Sequence, residues 1–167
     1  RLAYDLGRFM GTDVLTEPSN VIPPVSRDVR VLVVDDADDL RRTYVQGLEL
    51  LGYAVDQARN GHEALERIHK EHFDAVVLDL NMPGMDGFET AQLIRQRRRS
   101  AHFPIIYLAA FTDELRTSQG YAAGAVDYIS TPVVPEILRA KVRVFTDLYR
   151  LRKQVEQRAQ DIARREA

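Results

Sequence analysis

The sequence predicts an α/β domain in which a parallel β-sheet lies between two layers of helices. Short apolar runs, VRVLVV, FDAVVLDL and PIIYLAAF, recur along the chain. They alternate with segments whose apolar residues have helical spacing, such as Leu40, Tyr44, Leu48 and Leu51. Because the runs contain few polar positions, we expect both faces of their strands to be buried, as in a parallel sheet covered by helices.

Weaker strands and helix boundaries complete this pattern. YAVDQA and VDYIS add two strands, which gives about five strands and about five helices. Asn60 and Asp86 are each followed three residues later by a glutamate, the pairing that is typical of helix starts. The expected boundaries are therefore Gly52 after the first helix and Asn60, Asp86 and Thr112 before the second, third and fourth helices.

Composition excludes several classes of protein. The chain of 167 residues is 45% hydrophobic, enough for one core, and carries a net charge of −2. The absence of cysteine excludes disulfides, thiol nucleophiles and zinc–thiolate sites. No apolar run is long enough to cross a bilayer, and the basic run RQRRR is interpreted as a solvated helix end. We expect a cytoplasmic protein without membrane or nucleic-acid partners, and we assign the four histidines to the surface.

The chain divides into three predicted parts. Residues 1–28 are expected to be an N-terminal extension or linker, because EPSNVIPPVSRD is rich in Pro, Ser and Asn. Residues 29–147 form the α/β domain, and residues 148–167 extend its last helix. Since the chain begins at Arg1 and ends at Ala167 within a helical pattern, we expect it to be a segment of a longer protein.

Acidic residues follow two of the predicted strands. Asp35 and Asp36 end the first strand and Asp79 ends the third. The carboxyl ends of parallel strands lie at one edge of a sheet, so these carboxylates should converge. A divalent cation would relieve their repulsion, and oxygen ligands favour Mg²⁺, with the Asn81 carbonyl completing the shell. Asp79 could then act as a nucleophile toward phosphorus, whereas the alternative is that Asp35 and Asp36 only cap the first helix.

From about Val29 to about Tyr149 the chain resembles the receiver domain of bacterial two-component response regulators. VLVVDDADD resembles the acidic pair of that family, VVLDLNMPGMDGFE its phosphoacceptor loop, and GAVDYISTPV the end of its fifth strand. The resemblance implies a doubly wound, five-stranded, flavodoxin-like fold with Asp79 as phosphoacceptor and a histidine kinase or phosphotransfer protein as donor. It also implies Mg²⁺ held by Asp35, Asp36, Asp79 and the Asn81 backbone carbonyl.

Two positions depart from the family's pattern. Ala109 stands where receivers carry a switch Thr or Ser, and Thr131 stands where they carry a lysine before proline. The switch aromatic is present as Tyr128. We expect slower phosphoryl transfer without the lysine and altered signalling without the hydroxyl.

The last helix should be long. Pro135 can begin it, and neither Pro nor Gly occurs from there to Ala167. A coiled-coil seam is indicated by apolar residues at heptad spacing, Leu148, Leu151, Val155 and Ile162, although Arg158 interrupts it. We expect a homodimer through this helix; a solvated, partly frayed tail is the alternative.

Three functions are compatible with these features. The first is a signalling receiver that accepts a phosphoryl group on Asp79 and relays a change through its last helices. The second is a pseudo-receiver that binds or dimerises without phosphate. The third, a phosphohydrolase of the haloacid dehalogenase type, needs a second acid two residues after the nucleophile, where this chain has Asn81. We therefore expect no catalysis beyond phosphoryl acceptance, and place any enzymatic output in a neighbouring domain.

Overall fold

The computed structural model describes residues 25–110 and 127–167. The elements in this part of the chain are β1 (Arg30–Val34), α1 (Asp38–Glu49), β2 (Ala54–Ala58), α2 (Gly61–Lys70), β3 (Ala75–Asp79), α3 (Gly87–Gln96), β4 (Ile105–Ala110), β5 (Asp127–Thr131) and α4 (Pro135–Glu166). The helix expected after Thr112 and most of the N-terminal extension lie outside the described residues. None of the described helices is long and apolar enough to cross a membrane.

The five strands form one parallel sheet in the order β2-β1-β3-β4-β5. The chain moves outward from β1 to β2 and then crosses back to β3 on the other side of β1. This reversal confirms the predicted doubly wound arrangement, and it places the carboxyl ends of β1 and β3 side by side at the switch in strand order. Val34 pairs with Leu78, so the residues that follow each of them are neighbours.

The core has two layers, one on each face of the sheet. Helices α2 and α3 cover one face, where Ala64, Ile68, Ala91 and Ile94 pack on Leu32, Val34, Leu78 and Tyr107. Helices α1 and α4 cover the other, where Tyr44, Val45, Leu48, Leu138 and Val142 pack on Val31, Val33, Val77 and Ile106. Burial on both faces explains why the strand sequences are continuous apolar runs and do not alternate between polar and apolar residues.

The buried face of α1 differs from the one that the sequence predicted. Tyr44 and Leu48 are buried, but Leu40 is 51% exposed and Leu51 lies beyond the end of the helix. The buried face consists instead of residues spaced three or four apart, Arg41, Tyr44, Val45 and Leu48. This spacing puts them on one side of a helix, the side that meets the sheet. Gly52, with a φ of +106°, follows the helix.

Two of the predicted helix caps are confirmed. The Asn60 side chain accepts a hydrogen bond from the Glu63 backbone N–H at 2.8 Å. The Asp86 side chain accepts one from the Glu89 N–H at 2.9 Å. Each cap satisfies a backbone donor that has no partner within its helix, and so sets where α2 and α3 begin.

Helix α4 has 32 residues, begins with Pro135 and continues without interruption to Glu166. At about 1.5 Å per residue it is about 48 Å long, which confirms the predicted long last helix. Its first half packs on the domain through Leu138, Val142 and Thr146.

The middle of α4 is held to the domain at the amino end of the sheet. The Tyr149 ring stacks on His72 with centroids 5.9 Å apart, and Lys153 Nζ lies 3.1 Å from His72 Nε2. Arg150 forms an ion pair with Asp28 at 2.8 Å. His72, expected at the surface, keeps 35% of its side chain exposed and also contacts α4. Burial and the Lys153 charge lower the pKa of His72.

We predict that Gly87→Ala lowers the free energy of unfolding by about 1–3 kcal/mol, because the start of α3 lies directly against the chain at the end of β3. An added Cβ would be 2.5 Å from the Asp79 carbonyl oxygen and 2.8 Å from the Leu80 Cα. Urea denaturation followed by circular dichroism measures the change.

The matched control is Gly47→Ala, inside α1, where an added Cβ meets nothing within 4 Å. It should raise the free energy of unfolding by about 0.5–1 kcal/mol through helix propensity. Similar effects of the two substitutions would contradict the close-packing argument.

Candidate functional site

Three carboxylates meet at the carboxyl edge of the sheet. Asp35 and Asp36 follow β1, and Asp79 is the last residue of β3. Each offers an oxygen that lies within 4.8 Å of those of the other two. Asp35 is buried, Asp79 is half-buried and Asp36 is exposed, so the cluster is open to solvent on one side. The structure thus brings together the three acids that the sequence selected.

Backbone contacts hold the cluster in place. The Ala37 N–H donates to Asp35 Oδ1 at 2.9 Å, and the Asn81 N–H lies 3.4 Å from Asp79 Oδ1. The loop after β3 turns at Gly84, which has a φ of +75°, and closes where the Gly87 N–H donates to the Leu80 carbonyl at 3.1 Å. Asn81 is exposed beside the cluster, held there through its backbone.

Burial and neighbouring acids raise the pKa values of two of these carboxylates, Asp79 and Asp35. Burial, reinforced by the Asp35 charge, raises the pKa of Asp79 to about 7. Burial also raises the pKa of Asp35, with the Asp36 charge acting in the same direction and the Ala37 N–H opposing it. Without a counter-ion the cluster therefore destabilises the fold at neutral pH.

The donor set fits a magnesium ion. All three side chains are carboxylates, the hard oxygen ligands that Mg²⁺ prefers. Their spacing lets one ion contact all three with small side-chain adjustments, and the exposed side at Asp36 leaves room for water ligands. A cation here would offset the repulsion that raises the pKa of Asp79.

Arg41 is a site residue that the sequence analysis missed. Its buried guanidinium donates from Nη1 to the Asp35 carbonyl at 2.9 Å and from Nε to Gln57 Oε1 at 2.9 Å, and its Nη2 bonds Asp38 Oδ1 at 2.6 Å. These bonds fix the turn that carries Asp35 and Asp36. The signal was an arginine at helical spacing with Tyr44, Val45 and Leu48, a charge on an apolar face.

The three predicted switch positions lie on β4 and β5. Ala109 is buried near the end of β4 and presents only a methyl group. Thr131 ends β5 at the same edge of the sheet as Asp79, opposite Ala110, and its peptide bond to Pro132 is cis. Tyr128 is half-buried on β5 and packs against the core layer that contains Ala109.

Comparison with known proteins identifies the family. Residues 31–143 match the family model described as the response regulator receiver domain. The chain belongs to this family. This receiver is 40% identical over 118 residues to the transcriptional regulatory protein ResD of Bacillus subtilis, an alignment that covers 70% of the chain and 48% of ResD. The chain thus spans about half the length of that relative.

Solved structures agree with this assignment. The receiver matches the Vibrio cholerae chemotaxis protein CheY4 with a TM-score of 0.68 and 33% identity, over 70% of this chain and 98% of that one. It matches a CheY-like receiver domain protein of Methanospirillum hungatei with a TM-score of 0.70 and 28% identity, over 74% and 98% of the two chains. The predicted flavodoxin-like receiver fold is confirmed.

We predict that Asp79→Asn raises the free energy of unfolding of the metal-free receiver, and that the difference from the parent depends on pH. Because the folded pKa of Asp79 lies near 7, above the ordinary value of 3.8, ionisation costs stability as pH rises. The difference in unfolding free energy between variant and parent should be small at pH 4, grow up to about pH 7 and then level off. Urea titrations in EDTA at several pH values measure it.

Asp39→Asn, at an exposed acid outside the cluster, is the control and should show a much smaller dependence on pH. Added Mg²⁺ should stabilise the parent more than Asp79→Asn. An Asp79→Asn advantage that is constant with pH would contradict the assigned electrostatics.

Proposed function

We propose that this receiver accepts a phosphoryl group on Asp79 from a histidine kinase or phosphotransfer protein, with Mg²⁺ held by Asp35, Asp36, Asp79 and the Asn81 carbonyl. The observation that carries the proposal is the three-carboxylate cluster at the switch edge of the sheet, in a chain of the receiver family. A cytoplasmic location, where such donors reach it, is part of the proposal.

In this reaction the main role of the protein is to position the Asp79 carboxylate and the neighbouring acids. An Asp79 carboxylate oxygen attacks phosphorus and forms an acyl phosphate, while the bond from phosphorus to the donor breaks and the donor atom keeps the electron pair. Bound Mg²⁺ neutralises the acids and shields the phosphoryl oxygens. Arg41 and the Ala37 N–H hold the Asp35 segment, and Asn81 holds an oxygen of Asp79 through its backbone.

With Thr131 in place of a lysine, we expect phosphoryl transfer to Asp79 to be slower but not abolished. A lysine there would make a charge-assisted contact with the phosphoryl oxygens, worth roughly 1.5–3 kcal/mol. The Thr131 hydroxyl can offer only a neutral hydrogen bond from the same edge of the sheet. If the contact forms in the transition state, its loss slows transfer by about tenfold or more.

We predict that incubation with a small phosphodonor and Mg²⁺ adds one phosphoryl group to the parent chain, as read by intact mass. Asp79→Asn should show no adduct, and neither should the parent in EDTA. Thr131→Lys should form the adduct about tenfold faster or more, because it restores the charged contact.

A folded parent chain that gains no mass, even as Thr131→Lys, would refute phosphoryl acceptance. It would favour the second candidate, a phosphate-independent interaction module. Ala109 and Thr131 favour that candidate, because both replace groups that receivers use in responding to phosphate. The phosphohydrolase alternative is set aside, since the chain belongs to the receiver family.

We also propose that α4 pairs with a second copy of this chain in a parallel coiled coil. Its apolar side chains at heptad spacing are all more than half exposed, namely Val144, Leu148, Leu151, Val155 and Ile162. About two and a half turns separate the buried Val142 from Leu151, so this stripe lies off the face of α4 that packs on the sheet, and only Leu151 also borders an open pocket beside Val25 and Val29. The length of α4 beyond the domain leaves the stripe accessible to a partner helix.

Charge favours a parallel pair of helices. With Leu148 and Leu151 at positions a and d, Asp147 occupies g and Arg152 occupies the following e. In a parallel, in-register pair, Asp147 of each helix faces Arg152 of the other, which supports this orientation. Arg158 falls at d and weakens the seam, so association should be modest and open to regulation.

We predict that Leu151→Asp weakens self-association at least tenfold, because it buries a charge at the centre of the seam. Sedimentation velocity over a concentration series measures the dimer constant. Gln160→Asp, exposed on the opposite side of the same helix, is the matched control and should leave the constant within twofold. A parent that stays monomeric at high concentration, before and after phosphorylation, would instead indicate a solvated tail.

A further inference from the structure

An open groove lies at the edge of the sheet, beside β2. Its volume is about 720 Å³, and apolar side chains that include Leu50, Leu51 and Val55 line it together with Val25. Strand β2 is the first in the sheet order and pairs only with β1 among the described strands. Leu50 is 84% exposed, more than any other large hydrophobic side chain in the described part of the chain. Covering this groove with apolar groups would therefore stabilise the protein.

The chain approaches the domain through this groove. The Val25 N–H donates to the Leu51 carbonyl at 2.9 Å, and the partly buried Val25 side chain packs on the core layer that α1 and α4 cover. Gly52, at a φ of +106°, allows the close approach, since an added Cβ would be 2.5 Å from the Val25 carbonyl oxygen. The residues that precede Val25 must therefore start from the groove.

The sequence before Val25 has side chains that suit the groove. Val21 and Ile22 are apolar, and two prolines join them to Val25. Three extended residues span about 11 Å at most, which exceeds the length of about 7 Å over which Ala54–Asp56 borders the groove. Because proline has no backbone N–H, the two prolines cannot donate to the edge of β2, and docking here depends on side-chain contacts.

The edge of β2 is less suited to a second copy of the chain. The strand has five residues with Asp56 at its middle, and Arg30 of β1 pairs with this carboxylate. A short edge strand with charged side chains disfavours pairing with a strand of another molecule. The segment before Val25 needs no strand pairing, and its attachment at the groove gives it an effective concentration in the millimolar range.

Residues 25–28 also contact the last helix. Arg150 of α4 forms an ion pair with Asp28 at 2.8 Å. Val25 and Leu151 border the same open pocket. A segment that docks beside β2 is therefore connected, through residues 25–28, to the helix that carries the proposed dimer seam.

We propose that Val21 and Ile22 dock in the groove against Leu50. Residues 21–28 then form a strap, a stretch of chain that runs from the edge of β2 to α4. The strap fixes where the preceding residues leave the domain, whereas a free linker would leave their position open. The proposal does not depend on phosphoryl acceptance, because none of its contacts involves the carboxylate cluster.

A double-mutant cycle tests the contact in the full chain. Ile22→Ser, Leu50→Ser and the double variant are compared with the parent, and urea denaturation gives the equilibrium constant of unfolding of each protein. The measurements are made at two protein concentrations about a hundredfold apart. The control cycle pairs Ile22→Ser with Leu40→Ser, because Leu40 is an exposed leucine of α1 outside the groove.

We expect Ile22 and Leu50 to be coupled. Each single substitution should raise the unfolding constant, and the double variant should raise it by at least threefold less than the product of the two single effects. The coupling should be the same at both protein concentrations. In the control cycle the effects of Ile22→Ser and Leu40→Ser should multiply to within about 1.5-fold.

Either of two results would overturn the strap. A coupling of less than threefold between Ile22 and Leu50 would show that the segment does not occupy the groove. A coupling that increases with protein concentration, together with dimers in sedimentation velocity that Leu50→Ser removes, would assign the groove to a second copy of the chain.

Discussion

Repulsion among three carboxylates is the constraint on which the rest of this receiver depends. The pairing of β1 with β3 places one carboxylate oxygen each of Asp35, Asp36 and Asp79 within 4.8 Å of the other two. Burial prevents water from fully screening the repulsion between these charges. The apolar core on both faces of the sheet supplies the free energy that holds them there. A site strained in this way gains stability from any cation that enters it, which is what a magnesium-dependent phosphoacceptor requires.

Several residues that are far apart in the sequence hold the backbone around this cluster in place. Arg41 is buried on α1 because its guanidinium fixes the Asp35 carbonyl and the first turn of the helix. Gly87 lacks a side chain because the start of α3 must lie against the Asp79 carbonyl. The cap at Asp86 begins α3 at that point. Each of these groups holds backbone, so the acids stay in place whether or not they are charged.

The two departures from the family's pattern affect different stages of signalling. The acids of the proposed phosphoacceptor site are intact, whereas under the same proposal Thr131 weakens the contact that speeds transfer and Ala109 removes the usual response. Helix α4 carries both a docked face and an exposed apolar face, and the proposed output is pairing through the exposed one.

The sequence alone determined the fold class, the strands, two helix caps, the long last helix and the three acids, because these depend on local periodicity, on capping chemistry and on the rule that parallel strands end at one edge. Only the tertiary structure decided that Arg41 rather than Leu40 faces the core, that His72 contacts α4, and that the buried Tyr107 hydroxyl has no hydrogen-bond partner among the described residues. These outcomes depend on which elements pack together and at what distance, and residue spacing along one element carries no such information.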